Sequence, residues 1–211
     1  MNLCDSKNAL FQKIQANINN HKVINAMSSV PREKFVRPQD LLKSYEDVAL
    51  PIEFDQTISQ PSIIATMLDS LNISKFDNVL EIGTGSGYQA SILSNLSDKV
   101  TTTECVGGLY KIAQSRLIDL GYYNTSVLSV EVGEWGTDLN APYDAIIVSA
   151  ACPSIPMKLV NQLDKFGRMV VPVGESSAQE LILISKSPSG MSLKMIAHCK
   201  FVPLKFKENM F

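Results

Sequence analysis

The spacing of apolar residues along the 211-residue chain predicts a series of helices and strands. Within residues 6–29, apolar side chains recur at helical intervals, and Pro31 would end that helix. Residues 31–58 contain three prolines and follow no regular period, so we expect irregular structure there. The apolar run 61–71 predicts the next helix, with Pro61 in its first turn, where the missing N–H leaves no hydrogen bond unmade.

From residue 78 onward, short apolar segments alternate with amphipathic ones. We predict strands at residues 78–83, 99–104, 125–132, 143–151, 167–174, 180–187 and 193–204, and helices at residues 88–96, 109–121 and 155–163. Strands that alternate with helices specify a parallel, doubly wound sheet. The last two strands flank a Pro-Ser-Gly turn at residues 188–190, which is typical of a hairpin. Because no repeat or linker interrupts the chain, we expect one α/β domain over residues 1–211.

Composition narrows the class of function. Hydrophobic residues make up 45% of the chain, as in an ordinary folded protein, and the formal net charge is −2. Without a face rich in Lys and Arg, nothing favours nucleic-acid binding. No apolar run approaches the ~18 residues of a membrane-spanning helix, and the N-terminal stretch MNLCDSKNALFQK lacks the apolar centre of a secretory signal. We therefore expect a soluble cytoplasmic protein.

Metal chemistry is also disfavoured. The four cysteines form no C-x-x-C pair, only two histidines accompany them, and they lie far apart at positions 4, 105, 152 and 199. We expect buried, reduced thiols and no metal site. His21 and His198 fall in a predicted helix and a predicted strand, where a surface or packing role is the simplest interpretation.

The strongest motif is the glycine turn EIGTGSG at residues 81–87, between a predicted strand and a predicted helix. Glycine lets a ligand approach the backbone closely, and a helix N-terminus offers free N–H groups. Glu104 ends the next predicted strand about 20 residues later, where an acidic side chain binds ribose hydroxyls in nucleotide-binding folds. These features favour a nucleoside ligand over a plain tight turn with an incidental acid.

The spacing of the glycines distinguishes between nucleoside cofactors. Gly83, Gly85 and Gly87 form G-x-G-x-G, whereas the dinucleotide-binding turn has G-x-G-x-x-G. Glu81 adds a carboxylate, which suits a cationic sulfonium cofactor with an ammonium group better than a pyrophosphate. The pattern therefore favours S-adenosylmethionine over NAD. The alternative role for Glu81 is a strand-end acid that caps the following turn.

Several stretches of the chain resemble the protein-L-isoaspartate O-methyltransferase family. They are VPREKFV (30–36), YEDVALPI (45–52), QTISQP (56–61), VLEIGTGSGYQA (79–90), APYDAIIVSAA (141–151), IP (155–156), QLDKFGRMVVPVG (162–174) and FVPL (201–204). They follow the family's order, and QTISQP and FVPL are not general methyltransferase features. The resemblance implies a Rossmann-like enzyme that uses S-adenosylmethionine and releases S-adenosylhomocysteine. Its implied substrate is the free carboxylate of L-isoaspartyl and D-aspartyl residues in damaged proteins, which it methylates as a repair reaction.

The resemblance also implies roles for individual residues. Ser59 is the implied active-site residue, and its hydroxyl would donate a hydrogen bond that orients the acceptor carboxylate. A carboxylate is ionised at neutral pH, so no general base is required, and no His/Asp pair stands ready to activate a covalent serine. Substrate contacts are implied for Gln56, Thr57, Ile58, Val202 and Leu204, and cofactor contacts for Glu81, Gly83, Thr84, Gly85, Gly87, Glu104, Val132 and Gly133.

Two of these roles have structural alternatives. Ser59 lies just before Pro61 and an apolar helix, where a helix cap belongs. The FVPL stretch also fits a core strand that ends at Pro203. The implied organisation is a helical, substrate-side extension at residues 1–60, a cofactor-binding core at 61–190, and a strand with a substrate strip at 191–211, acting as a monomer on isoaspartyl peptides and proteins.

The chain departs from the family pattern in the loops closest to the implied ligands. Glu53 and Asp55 occupy positions where the family has glycines, and acids that face the site would disfavour an anionic acceptor. Val132 stands where the family's aspartate contacts the adenine amine, with Glu131 and Glu134 as the available substitutes.

Two smaller departures follow from the same comparison. The segment CVGG at residues 105–108 differs from relatives, which commonly carry Arg or Ile there. Trp135, beside the altered adenine loop, either covers the adenine or is an unattached surface aromatic. Together the departures leave three other functions open: a methyltransferase with a cationic or neutral small acceptor, a non-catalytic binding module, and, disfavoured by the glycine spacing, a nicotinamide dehydrogenase.

Overall fold

The computed structural model describes residues 2–175 and 177–205, so the ends of the expected domain, residue 1 and residues 206–211, lie outside the described residues. Within these ranges the α-helices are α1 (Leu3–Gln15), α2 (His21–Ser29), α3 (Pro61–Leu71), α4 (Tyr88–Leu96), α5 (Gly107–Asp119) and α6 (Met157–Gln162), and short 3-10 helices lie at Arg32–Lys34, Pro38–Lys43 and Glu53–Asp55. The strands are β1 (Leu50–Pro51), β2 (Thr57–Ile58), β3 (Asn78–Ile82), β4 (Lys99–Glu104), β5 (Thr125–Ser129), β6 (Tyr143–Val148), β7 (Leu163–Glu175), β8 (Ala178–Ser187) and β9 (Gly190–Cys199).

The prediction of one helix over residues 6–29 is wrong, because the structure divides this segment into α1 and α2. The side chains of asparagines compete with the helical backbone for hydrogen bonds at the break. The Asn17 amide donates to the Lys13 carbonyl at 3.2 Å, and the Asn20 side-chain oxygen accepts from the Val23 N–H at 3.4 Å, which caps α2. Both helices still bury their apolar faces in the core.

The main sheet of the described residues has seven strands in the order β5-β4-β3-β6-β7-β8-β9. The pairs β3–β4, β3–β6, β4–β5 and β6–β7 are parallel. The strands β8 and β9 extend the sheet as an antiparallel hairpin. The expected doubly wound, mostly parallel sheet with a C-terminal hairpin is therefore confirmed. The last strand is shorter than predicted, since it ends at Cys199.

A hydrophobic core lies on each face of this sheet. Because successive residues of a strand point to opposite faces, Val79 and Leu80 of β3 enter different clusters. Val79 packs in the cluster formed with α1 to α4, and Leu80 packs in the cluster formed with α6. Burial on both faces explains why the parallel strands have nearly continuous apolar sequences.

A small hairpin outside the main sheet precedes α3. Its strands β1 and β2 pair antiparallel, with Leu50 opposite Ile58. The turn between them contains Phe54 and Asp55 at φ values of 58° and 56°, a left-handed conformation that non-glycine residues seldom adopt. The segment that was predicted to be irregular therefore contains a defined hairpin, β1–β2, with a strained tip.

The histidines and most of the cysteines lie near the surface. His21 and His198 are exposed. The cysteines are free, and the expectation of buried thiols holds for Cys152 but is corrected for the exposed Cys4 and for two half-buried thiols. In the described ranges, no group of three or more His, Cys, Asp or Glu side chains is placed to bind a metal ion. No helix in that part of the chain has both the length and the apolar character needed to cross a membrane.

Candidate active site

A pocket opens at the carboxyl ends of β3, β4 and β6, and its open space, mouth included, is about 850 Å³. The central strand β3 has β4 on one side and β6 on the other, so the strand order reverses at this point. Open α/β sheets bind ligands in the crevice at such a switch point. The walls of the pocket are the glycine turn after β3, residues 56–59 and residues 202–205.

The pocket brings together most of the residues predicted for the cofactor and the substrate. They are Gln56, Thr57, Ile58, Ser59, Glu81, Gly83, Thr84, Gly85, Glu104, Val202 and Leu204. Gly87, Val132 and Gly133 do not line it, so their predicted cofactor contacts stay predictions. A Cβ at Gly87 would meet Leu117 at 3.5 Å, which makes this glycine a packing contact between α4 and α5. Val132 and Gly133 are the middle residues of a turn closed by a backbone hydrogen bond of 2.9 Å.

Two glycines shape the turn after β3. Gly83 and Gly85 have φ values of 89° and 54°, in the region where a Cβ is disfavoured. The Gly83 N–H donates to the Thr103 carbonyl at 2.9 Å, which ties the turn to β4. The hydroxyls of Thr84 and Thr102 form a second tie at 2.7 Å. The turn is therefore held in one shape while its glycine backbone stays open to the pocket.

Glu104 braces this turn from the end of β4. It is 5% exposed, and its two carboxylate oxygens accept hydrogen bonds from the N–H groups of Gly85 and Val106, each at 2.9 Å. Each carboxylate oxygen has two acceptor positions, so one on each oxygen is left for a ligand. Two such positions suit a pair of neighbouring hydroxyl donors.

Glu81 is fully buried at the floor of the pocket. Its carboxylate accepts from the Thr102 hydroxyl at 2.6 Å and from the Gln89 side-chain amide at 3.0 Å. Burial raises the pKa of Glu81 to about 8, the charge of Glu104 adds to this effect, and the two hydrogen bonds oppose it. These partners lie on β4 and α4 and not in the glycine turn, so the alternative of a turn cap is not supported.

Replacing Glu81 with glutamine should flatten the pH dependence of stability. Because the pKa of Glu81 is raised from 4.5 to about 8, the folded protein holds this proton more tightly than the unfolded chain. The resulting stabilisation is fully present below pH 4.5 and is lost as the pH rises through about 8. Across this range, urea unfolding should show the stability of the parent protein falling by at least about 1 kcal/mol more than that of E81Q. Equal slopes for the two proteins would contradict the raised pKa.

Ser59 lines the pocket and does not cap α3. The residue in the N-cap position is Gln60, and its side chain makes no capping hydrogen bond. The cap comes instead from Asp47, whose carboxylate accepts from the Ser62 N–H at 2.9 Å and forms a salt bridge with Lys13 at 2.8 Å. Among the described residues, no hydrogen bond engages the Ser59 hydroxyl, so the hydroxyl is available to a ligand.

Glu53 and Asp55 do not line the pocket. Both lie at the tip of hairpin β1–β2, where Asp55 is exposed. Glu53 lies near Arg116 of α5: burial lowers the pKa of Arg116, and the negative charge of Glu53 acts in the opposite sense. The predicted repulsion of an anionic acceptor by these two acids is therefore not supported by their placement.

Residues 201–205, which we call the C-terminal strip, close the pocket. The Gln179 side chain accepts from the Phe201 N–H at 2.6 Å and donates to the Phe201 carbonyl at 3.2 Å. The Ala151 N–H donates to the Val202 carbonyl at 2.8 Å, and the Leu204 N–H donates to the Ala151 carbonyl at 2.8 Å. The strip therefore runs parallel to the segment that follows β6.

This pairing restricts how Val202 and Leu204 could contact a substrate, and their predicted substrate contacts stay predictions. The Val202 carbonyl and the Leu204 N–H are bonded to Ala151, so they are not free to bind a substrate peptide. Leu204 is 8% exposed and packs in the same core cluster as α6. The core-strand alternative therefore accounts for much of FVPL, while both side chains remain part of the pocket wall.

The loop after β5 contributes Val130, Glu134 and Trp135 to the pocket. The Trp135 indole N–H donates to the Lys205 carbonyl at 3.0 Å, and the Trp135 carbonyl accepts from the Thr103 hydroxyl at 2.8 Å. Trp135 is therefore not an unattached surface aromatic, since it joins β4 to the C-terminal strip. Glu134, one of the two substitutes considered for the missing aspartate, is exposed and lines the pocket, whereas Val132 does not.

Two polar residues that were not predicted also contribute to the site. The buried Gln89 side chain donates to Glu81 at 3.0 Å and to the Ser149 hydroxyl at 2.8 Å, which links α4, β3 and the end of β6. Thr102 is 0% exposed and bonds to Glu81. The signal for both was a polar residue inside a segment that the pattern places in the core.

Comparison with protein families matches residues 5–209 to the family described as Protein-L-isoaspartate(D-aspartate) O-methyltransferase (PCMT). The protein-L-isoaspartate O-methyltransferase of Parvibaculum lavamentivorans is 45% identical over 190 residues, which are 89% of this chain and 85% of that protein. The protein of the same name from Koribacter versatilis is 43% identical over 190 residues, which are 90% of this chain and 85% of that protein.

Solved structures give the same picture. A structure named protein-L-isoaspartate O-methyltransferase superposes with a TM-score of 0.83 and 27% identity over 93% of this chain, which spans 65% of that structure's chain. A putative protein-L-isoaspartate O-methyltransferase from Plasmodium falciparum, in complex with S-adenosyl-L-homocysteine, has a TM-score of 0.77 and 22% identity, with 94% of this chain and 98% of that chain covered. The second likeness concerns the fold alone.

Proposed function

Because this chain belongs to the protein-L-isoaspartate(D-aspartate) O-methyltransferase family, we propose that it methylates the free carboxylate of L-isoaspartyl and D-aspartyl residues in damaged proteins, with S-adenosylmethionine as methyl donor. The reaction is a step of protein repair. The observation that carries the proposal is that Ser59, the glycine turn and Glu104 all line the same pocket.

The residues of the pocket fit S-adenosylmethionine. Glu104 keeps two acceptor positions for the ribose hydroxyls, and the backbone of Gly83 and Gly85 permits close approach of the ligand. Glu81 suits the cationic amino-acid end, because a nearby positive charge favours its ionised form. When bound, the cofactor supplies a methyl group on a positively charged sulfur, which is already activated for transfer.

We assign the adenine contacts to the loop after β5. Glu134 lines the pocket where Val132 does not, and its carboxylate can accept a hydrogen bond from the adenine amine. Val130 and Trp135 add apolar surface beside it. The loop therefore replaces the family's aspartate with a side chain two positions later in the same turn.

Ser59 orients the acceptor in this proposal. Its hydroxyl donates a hydrogen bond to the substrate carboxylate and holds one oxygen in line with the methyl group, so catalysis rests on positioning. No proton has to be removed, because the acceptor is already ionised near neutral pH. The exposed His21 and His198 do not line the pocket, which agrees with a reaction that has no general base.

The placement of the acids weakens the competing functions. A different acceptor was suggested by Glu53 and Asp55, which lie outside the pocket lining. A non-catalytic module was suggested by Val132 together with the same acidic loop, but Glu134 lines the pocket and offers a carboxylate in place of the missing aspartate. The pocket therefore favours the proposed function over both alternatives.

We further propose that the protein acts as a cytoplasmic monomer on isoaspartyl peptides and proteins, without nucleic-acid or membrane partners. Two observations support this: the net charge is −2, and residues of one chain supply all the walls of the pocket described above. Light scattering at micromolar concentration should give the mass of one chain, 23.2 kDa. A stable dimer would contradict this part of the proposal.

The function is tested with paired peptides that differ only in an isoaspartyl or aspartyl residue. With isotope-labelled S-adenosylmethionine, we expect base-labile label on the isoaspartyl peptide and none on the aspartyl peptide. Transfer to neither peptide would overturn the proposed substrate. Calorimetric titration with S-adenosylhomocysteine and with NADH then separates the remaining cases, since binding of NADH alone would mean that the glycine turn holds a different cofactor.

A further inference from the structure

The hairpin β1–β2 reaches from the acceptor side of the pocket to the start of α5. At its base, the Cδ1 atom of Ile52 lies 3.7 Å from the position of a Cβ at Gly85, in the glycine turn. At its tip, the ring of Phe54 lies on Gly108, where a Cβ would be only 1.9 Å from the ring Cζ atom. The ring therefore fills the space that a side chain at position 108 would need.

The backbone of the tip is strained where it makes this contact. Phe54 has φ 58° and ψ 35°, and Asp55 follows with φ 56°. The Phe54 side chain is 53% exposed, so burial in the core does not account for its position. Two adjacent strained residues persist only where their surroundings hold them, and such strain is concentrated at functional sites.

The Phe54–Gly108 contact joins the two sides of the pocket mouth. Gly108 lies two residues after Val106, whose N–H is held by the Glu104 carboxylate at 2.9 Å. On the other side of the contact, the hairpin continues directly into residues 56–59, which line the pocket and include Ser59. A shift of the tip therefore moves the acceptor wall relative to the cofactor wall.

A charge interaction also connects the tip of the hairpin to α5. Glu53, beside Phe54, acts on Arg116 of α5, and the Arg116 guanidinium donates to the Ser86 carbonyl in the glycine turn at 2.7 Å. The acidic tip and the glycines at the start of α5 are both departures from the family pattern, and in this structure they meet.

We propose that Phe54 and Gly108 form a latch that holds the hairpin β1–β2 over the cofactor and aligns Ser59 with the transferred methyl group. Phe54 is a positioning residue in this arrangement, because its ring does not line the pocket. The part that concerns Ser59 rests on the proposed function, whereas retention of the cofactor does not depend on the acceptor.

The test compares two glycines that are neighbours in the same helix turn. G108A places a methyl group where the ring lies, while G107A has nothing within 4 Å of its added Cβ. Both replacements favour helix formation, so both proteins should fold. We expect G108A and F54A to weaken S-adenosylhomocysteine binding in calorimetry by about fivefold to tenfold and to speed its dissociation, while G107A stays within about twofold of the parent protein.

Two further variants separate a latch from a purely structural effect. F54G removes the ring but relieves the left-handed strain, so its thermal stability should equal or exceed that of the parent protein while cofactor binding is weakened as in F54A. The double variant F54A/G108A should bind no more weakly than the weaker single variant, because both changes break one contact.

Any one of three outcomes would contradict the latch. G108A could bind S-adenosylhomocysteine as tightly as G107A, or F54G could bind it as tightly as the parent protein. The losses of binding free energy in F54A and G108A could also add up in the double variant. Peptide methylation should fall in F54A and G108A by a larger factor than cofactor affinity does, because the alignment of Ser59 is lost as well. If the parent protein methylates neither test peptide, the proposed function fails. The comparison of S-adenosylhomocysteine binding among the variants still shows whether the Phe54–Gly108 contact retains the cofactor.

Discussion

Glu104→Gln is expected to weaken the binding of S-adenosylhomocysteine by about 100-fold or more. Both carboxylate oxygens of Glu104 already accept an N–H group, from Gly85 and from Val106. An amide replaces one oxygen with a donor, which then faces an N–H donor of the protein. The variant loses the charge-assisted bonds to the ribose, worth about 1.5–3 kcal/mol each, and also loosens the glycine turn.

The matched control is Asp119→Asn, which removes the same charge from the exposed end of α5. The Asp119 carboxylate accepts only a surface bond from the Ser115 hydroxyl at 3.3 Å among the contacts described, and it does not line the pocket. Calorimetry should find D119N within about twofold of the parent protein, because a screened surface charge contributes little. Circular dichroism should show both variants folded, and near-parental affinity in E104Q would exclude Glu104 as the ribose ligand.

Ser59→Ala should lower kcat/KM for an isoaspartyl peptide by about 10- to 100-fold while the affinity for S-adenosylhomocysteine changes by less than about twofold. A single hydrogen bond to a charged acceptor accounts for a loss of this size. The hydroxyl lines the pocket, and no contact among the described residues competes for it. The comparison of these two effects is informative, because a residue that contacts only the acceptor lowers kcat/KM without lowering the affinity for the cofactor.

Ser70→Ala provides the control on α3. The Ser70 hydroxyl donates to the Thr66 carbonyl at 2.7 Å, within the helix and outside the pocket, so S70A should retain parental kinetics. A loss of about 10⁶-fold in S59A, as for a deleted nucleophile, or a methyl group found on Ser59 itself would contradict an orienting role. Equal losses in peptide kinetics and cofactor affinity would instead place Ser59 in the cofactor site.

Much of the fold and the cofactor side of the site can be predicted because their signals are local. The apolar strands, the glycine turn and Glu104 occupy short stretches with fixed spacing. Parallel strands end at the same edge of the sheet, so the order of elements is enough to bring the glycine turn and Glu104 together. The Gly85 N–H donates to the Glu104 carboxylate, and the Gly83 N–H donates to the neighbouring Thr103 carbonyl, as that expectation requires.

The interactions that escaped prediction join segments far apart in sequence. Asp47 caps α3 from 15 residues before Ser62, and Trp135 binds the Lys205 carbonyl across 70 residues. Periodicity carries no information about such partners. Ser59 was therefore a plausible cap from the local sequence, because the sequence next to α3 does not show that Asp47 caps this helix.

The loop after β5 shows a second reason why the site could not be fully predicted from the sequence. A position in an alignment identifies which residue occupies a place in the chain, but the turn decides which side chain faces the ligand. The hydrogen bond from the Glu134 N–H to the Glu131 carbonyl at 2.9 Å creates a turn whose middle residues do not line the pocket. Position alone left Glu131 and Glu134 as equal substitutes for the missing aspartate, and the shape of the turn favours Glu134 because it lines the pocket.

The C-terminal strip makes a complete pocket depend on residues that follow the main sheet. Every strand of the described main sheet ends by Cys199, yet residues 202–205 line the pocket. We expect cleavage after Lys200 to leave these strands in place while it removes one wall of the pocket. The same cleavage would uncover the apolar side chains that Leu204 contacts in the core, so the clipped protein should be less stable as well as inactive.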